Sequence, residues 1–124
     1  MGAMRPTKIS LRDKLDRIAD HWNPRIVGDV NDCAVKLVKF RGEFVWHHHE
    51  NEDEMFLVLQ GRFRMRLRDG DLEVGEGEMV IVPRGVEHMP VADEEVSVLL
   101  FEPRSTLNTG NLVNERTVAQ PERL

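Results

Sequence analysis

Two periodicities divide the chain. Leu11, Leu15 and Ile18 recur at helical spacing between Ser10 and Asp20, a single apolar stripe on an otherwise polar segment. Ser10 stands where an N-cap side chain accepts a backbone N–H, with Asp13 three positions on. The spacing predicts one short amphipathic helix. Pro24 follows it, and from Arg25 onward the period changes to two. Apolar or alternating runs at Ile26–Val30, Cys33–Arg41, Glu43–His47, Glu54–Leu59, Arg62–Arg68, Asp71–Val74, Met79–Val82, His88–Ala92 and Val96–Glu102 predict strands. So many short strands imply an all-β sandwich or barrel.

The punctuation between these runs favours antiparallel pairing. Asn31-Asp32, Arg41-Gly42, Gln60-Gly61, Asp69-Gly70 and Pro83-Arg84-Gly85 each supply turn chemistry, and Asp69-Gly70 is a two-residue hairpin signal. From Arg62 to Arg68 arginine alternates strictly with Phe63, Met65 and Leu67. That alternation puts the three apolar side chains inside and the arginines on a wet face, where neighbouring carboxylates pair with them. A phosphate-binding row is the other reading of the same arginines.

Composition narrows the classes. A chain of 124 residues, 40% hydrophobic and 31% charged, forms one domain around one core. Its bounds are read as residues 10–103, with 1–9 as a cloning junction (Met1-Gly2-Ala3-Met4) plus flexible lead, and 104–124 as a polar tail that wraps or frays. The net charge of −5, from 22 acidic residues against 17 Lys and Arg, offers no general attraction to nucleic acid or anionic lipid. No run approaches a membrane span or a signal peptide, so neither membrane nor export is expected. Cys33 is the only cysteine, which excludes an internal disulfide and cysteine-based metal clusters and suits a cytoplasmic location. In its apolar strand, Cys33 is expected to be a buried, inert thiol.

The chemistry concentrates in Trp46-His47-His48-His49-Glu50-Asn51-Glu52-Asp53-Glu54. On a strand, positions two apart share a face, so His47 and His49 point together and His48 points away. An acidic turn, Glu50–Asp53, then returns the chain and lets the Glu54 carboxylate converge on the two imidazoles. His88, after the turn-rich stretch Pro83–Glu87, is the candidate fourth ligand, whereas His21 lies in the helix-to-strand connector. Three imidazoles and a carboxylate suit one divalent transition metal ion, Fe, Mn, Zn, Ni or Cu, and fit calcium poorly. Trp46, Phe56, Met79, Met89 and Phe101 are read as core, with pocket lining above the metal as the alternative.

These residues resemble the cupin family. Its first motif reads here as Gly42, Glu43-Phe44-Val45-Trp46, His47-His48-His49, then Glu54 and Gly61, and its second as Gly77, Pro83, Gly85 and His88. Two positions depart from the pattern: Gly42 stands one residue too close to His47, and Ala92 replaces the closing asparagine. Neither departure touches a ligand, so they bear on local turn geometry. Phe44–His49, Glu102-Pro103 and Leu107–Gly110 are similar to small bacterial cupins labelled mannose-6-phosphate isomerase-like, a label that names no reaction.

The resemblance implies a double-stranded β-helix (jelly-roll) barrel behind one helix, a metal held by His47, His49, Glu54 and His88, and a homodimer that covers open sheet edges. It implies a small-molecule metalloenzyme of dioxygenase or isomerase/lyase type, since four protein ligands on an octahedral ion leave two sites open. The alternative is a non-catalytic cupin that binds or senses a sugar or organic acid. The epimerase branch of the fold uses a histidine–tyrosine pair, and this chain has no tyrosine. A single helix leaves no helix-turn-helix for DNA.

Overall fold

β7 (His88–Pro103) is the strand around which the others assemble. In this computed structural model, which describes residues 5–124, the helix α1 (Leu11–Leu15) precedes β1 (Arg25–Val30), β2 (Cys33–Glu43), β3 (Glu54–Gln60), β4 (Arg62–Leu67), β5 (Gly70–Gly75) and β6 (Met79–Val82). The reading of Met1–Met4 as a junction lies outside the described residues. Every pairing between strands is antiparallel: β7 joins β4 through His88–Val91, β2 from Val91 to Pro103, and β3 through Ser97–Phe101. β1 closes a hairpin on β2, β5 on β4, and β6 lies beside β3.

Val38, Phe40, Phe56, Phe63, Met65 and Val98 fill the interior, each large side chain contributing about 1.5–3 kcal/mol by leaving water. The alternation in β4 holds: Phe63 and Met65 are buried, Leu67 packs against them, and Arg64, Arg66 and Arg68 stand outside with Asp71, Asp93 and Glu87 within 4.0 Å. The pleat also leaves an apolar outer face. Ile81, Met55, Phe101 and Val35 align across β6, β3, β7 and β2 in one row, and Met79, Leu57, Leu99 and Leu37 in another. Met79 and Ile81 are 57% and 56% exposed.

Four expectations change. Residues 93–95 do not break the last strand. Phe40 pairs with Val96 and Gly42 with Ala92, so three residues bulge opposite Arg41 and the strand runs on through the polar stretch. The strand expected at Glu43–His47 ends at Glu43, because Phe44 donates to the Pro90 carbonyl and Pro90 has no N–H to return. α1 stops at Leu15, its exit tightening into i→i+3 bonds from Arg17 and Ile18 that carry Ile18 into the core. In the β4–β5 hairpin the turn is Arg68-Asp69, and Gly70 already pairs with Leu67 at φ +139°. The N-cap holds, with Ser10 accepting the Asp13 N–H.

The tail from Arg104 packs on the barrel. Its end returns beside β1, where Leu124 N–H donates to the Ile26 carbonyl and Ile26 N–H to that of Glu122. Thr109 is fully buried, its hydroxyl bonded to the Leu112 carbonyl and the Thr117 hydroxyl.

Candidate metal centre

Backbone bonds bring two distant loops together. His47 and His88 form an isolated bridge, exchanging N–H···O bonds of 3.1 and 2.9 Å. Gly85 N–H donates to the His49 carbonyl at 2.7 Å, and Asp53 accepts from the Arg84 N–H. Glu54 opens β3 opposite Val82. The convergence inferred from strand alternation is present, but this bridge produces it rather than a continuous strand through His47.

All four side chains are buried, and their ligand atoms lie within 4.8 Å of one another. The Nδ1 atoms of His47 and His88 each lie 2.9 Å from a carbonyl oxygen, of Val45 and Val86. A carbonyl only accepts, so each Nδ1 carries the proton and each Nε2 presents a lone pair. His49 Nε2, Glu54 Oε1 and His88 Nε2 are buried without a hydrogen-bond partner, although Glu54 Oε1 lies 3.1 Å from His49 Nε2 and 3.4 Å from His88 Nε2. Orphaned polar atoms that converge in a buried site are costly unless something binds them. Three imidazole nitrogens and one carboxylate oxygen match the donors that borderline divalent metals prefer.

The electrostatics agree with ligand duty. Burial, then the adjacent His88, pushes His47 down to about 4, so its ring is neutral near neutral pH. Burial alone would raise the Glu54 carboxyl, but His49, His88 and Glu102 outweigh it and hold Glu54 well below the usual carboxylate range. Burial and the charge of Glu54 push Glu102 well above it. Glu102 therefore keeps the proton while Glu54 is ionised, and Lys36 Nζ holds the other side of Glu102 at 2.8 Å. Lys36 and Glu102 are 2% and 1% exposed. Sequence reading missed this pair, although the parity that buries Ala34, Val38 and Phe40 buries Lys36 with them.

The tail fastens the histidine loop. Asn111 N–H donates to the His48 carbonyl, and the Asn111 side-chain oxygen accepts the His48 N–H. Gly110, at φ +57°, sits so close that an added Cβ would overlap the His48 carbonyl oxygen and lie 3.1 Å from His47 Cδ2. His48 points out of the cluster and bonds Glu50. Glu50 and Asp53 are exposed, and Asp53 and Glu52 tie the loops by bonding Arg84 and Ser105 respectively. The two departures from the cupin pattern meet: Gly42, at φ +82°, pairs with Ala92 at the β2 bulge.

A narrow cavity beside the cluster is lined by Trp22, Phe40, Phe44, Phe56, Pro90 and Leu100, among others, with His47 and Glu54 at its wall. Of the five residues weighed for this role only Phe56 lines it. Trp46 stacks under the Arg68 guanidinium at 3.8 Å, Met79 is exposed, Met89 is core, and Phe101 lies on the outer face. Phe40 and Phe44 bracket the Gly42 bulge, which is the signal that could have found them; nothing in the sequence marks Trp22. Cys33 is half-buried, not buried.

The strands make an antiparallel barrel around a buried cluster of three histidines and one glutamate. The family model described as "Cupin domain" matches residues 36–102, over half of the chain, and the chain belongs to that family, with its double-stranded β-helix, jelly-roll fold. The chain is similar to a crystal structure of a cupin-2 domain containing protein from Shewanella frigidimarina, at 44% identity and TM-score 0.76, covering 77% of this chain and 94% of that one. It is also similar to a Neisseria meningitidis protein of known structure, at 31% identity and TM-score 0.73, covering 78% and 99%. Among curated proteins, the uncharacterized protein YdbB of Bacillus subtilis (strain 168) is 36% identical over 63 residues, 50% of this chain and 56% of that relative's length. No described helix is long and apolar enough to cross a membrane.

Proposed function

We propose that this cupin holds one divalent transition metal ion through His47, His49, Glu54 and His88 and acts there on a small molecule. The observation that carries the reading is the convergence of His49 Nε2, Glu54 Oε1 and His88 Nε2, all buried and all without a hydrogen-bond partner. A bound ion would supply Lewis-acid activation of a substrate oxygen or, if redox-active, reaction with dioxygen. The chain's own part is to keep His47 and His88 in one tautomer through Val45 and Val86, to keep Glu54 ionised, and to surround the centre with apolar walls.

Catalysis of dioxygenase or isomerase/lyase type is the reading we favour over a sugar- or acid-binding module, because the apolar cavity opens directly onto a ligand histidine. The test is oxygen uptake and product formation by iron(II)- and manganese(II)-loaded protein across a panel of chelating small molecules. Turnover above free metal supports an enzyme; saturable binding without turnover identifies the binding module.

The reading extends to a cytoplasmic homodimer. The outer apolar rows on β6, β3 and β7, with Met79 and Ile81 more than half exposed, form the kind of patch that a second copy covers. Light scattering at micromolar concentration is expected to give twice the 14.3 kDa chain mass, and Ile81→Glu to give monomer. A wild-type monomer contradicts the dimer.

A further inference from the structure

The cavity beside the cluster is built for a ring. Phe40, Trp22 and Phe44 form a stack, with Trp22 centred 4.5 Å from Phe40 at 14° and 4.8 Å from Phe44 at 20°. Phe44 in turn meets the His47 ring edge-on at 5.4 Å. A slab of aromatic surface therefore runs from the barrel mouth to a proposed ligand. The free space left inside is about 30 Å³, enough for one or two waters. The indole itself occupies the gap between the Phe40 and Phe44 rings.

The walls offer a polar molecule little. No lysine or arginine is among the described residues lining the cavity. Asn108, the one amide there, already donates to the Arg116 carbonyl and accepts from the Val118 N–H. Apart from the proposed ion, a phosphate would meet no cation on the described walls, and sugar hydroxyls beyond those that reach the ion, His47 or Glu54 would lose water without gaining partners, which the energetics of buried polar groups penalise. Arg116 lies 5.8 Å from the Trp22 and Phe44 ring centres and does not line the cavity. An aromatic ring gains both stacking and burial in the same place.

Trp22 is also held as a removable part. Its backbone sits at φ +61°, a conformation that a bulky side chain adopts only under constraint. It belongs to the connector between α1 and β1, outside the ladder of the sheet. Two bonds retain it, from its N–H to the Lys39 carbonyl and from its Nε1–H to the Arg41 carbonyl, each 2.9 Å.

We propose that this cavity takes a flat aromatic ring, which replaces the Trp22 indole between Phe40 and Phe44, and that it rejects phosphorylated sugars. The proposal deepens the reading of the metal centre by naming the class of ligand that approaches it. Trp22 is then a plug whose withdrawal admits the ligand and whose return shields the cluster from water.

Free indole is a suitable probe because it carries no metal-chelating oxygen, so binding can be measured with metal-stripped and zinc-loaded protein alike. Calorimetry is expected to show indole binding to Trp22→Ala about tenfold or more tighter than to wild type, since removing the plug removes the competition. Mannose 6-phosphate is expected to bind neither. In wild type, indole is expected to shift the Trp22 Nε1–H resonance and leave that of Trp46 unmoved, which decides the matter even where Trp22→Ala fails to fold. Indole affinity equal in both proteins, an unmoved Trp22 resonance at saturating indole, or tighter binding of mannose 6-phosphate overturns the proposal. Metal content of the same samples separates the outcomes: failure to load zinc defeats the metal reading and leaves the indole result standing.

Discussion

Gly110→Ala probes whether the C-terminal tail holds the histidine loop in place. Two costs act at once. The left-handed backbone, φ +57°, costs an alanine roughly 1–2 kcal/mol. The new methyl would also overlap the His48 carbonyl, with its carbon at 2.9 Å and His47 Cδ2 at 3.1 Å, and forcing a methyl into a filled space costs about 1–3 kcal/mol. Together they predict a loss of about 2–5 kcal/mol, which at about 4 °C per kcal/mol lowers the melting temperature by roughly 8–20 °C. Relief of the clash moves the His47–His48 backbone, so affinity for zinc in competition with a chelating dye is expected to fall about 10–100-fold, the range for disturbing a ligand's support. Gly42→Ala is the control: its φ is +82° but nothing lies within 4 Å of the added carbon, so it carries the strain without the clash. A Gly110→Ala protein that melts with Gly42→Ala and keeps wild-type zinc affinity refutes the role given to the tail.

Two further outcomes follow from the buried charges. Lys36→Met leaves the Glu102–Glu54 carboxyl pair without its cation and is expected to cost about 3–5 kcal/mol in urea unfolding. Glu102→Gln alone keeps a neutral donor beside Glu54 and is expected to cost less than half as much, and a Glu102→Gln protein less stable than Lys36→Met contradicts the triad. For pH, His47 takes its proton near 6.5 when unfolded and near 4 when folded, so acid favours the unfolded chain through that window. Metal-free wild type is expected to lose about 3 kcal/mol more than His47→Asn as the pH falls from about 7 to about 4. Parallel stability curves would exclude a buried neutral His47.

Much of this was legible because local rules and the fold agree. Arg62–Arg68 alternates so strictly that its inner and outer faces were assigned correctly, and the four side chains that cluster, His47, His49, Glu54 and His88, could be singled out because two spaced motifs carry them. What escaped depends on long-range pairing. Pro90 interrupts the ladder opposite Phe44, and nothing near residue 44 announces it. The bulge at Asp93–Glu95 reads as a turn until Arg41 is seen opposite. Trp22 lies in a connector without period, and its place in the stack is set by Phe40 and Phe44 after folding. The tail, polar and aperiodic, is ordered by bonds to His48 and Ile26 that no local pattern encodes.

The central claim is that His47, His49, Glu54 and His88 together hold a metal, and elemental analysis tests it most directly. Protein purified without added metal and then reconstituted is expected to hold about one divalent ion per chain, and His47→Ala, Glu54→Ala and His88→Ala to hold far less while remaining folded by circular dichroism. A folded wild type that stays metal-free after reconstitution, or folded single variants that retain the full complement, would contradict it.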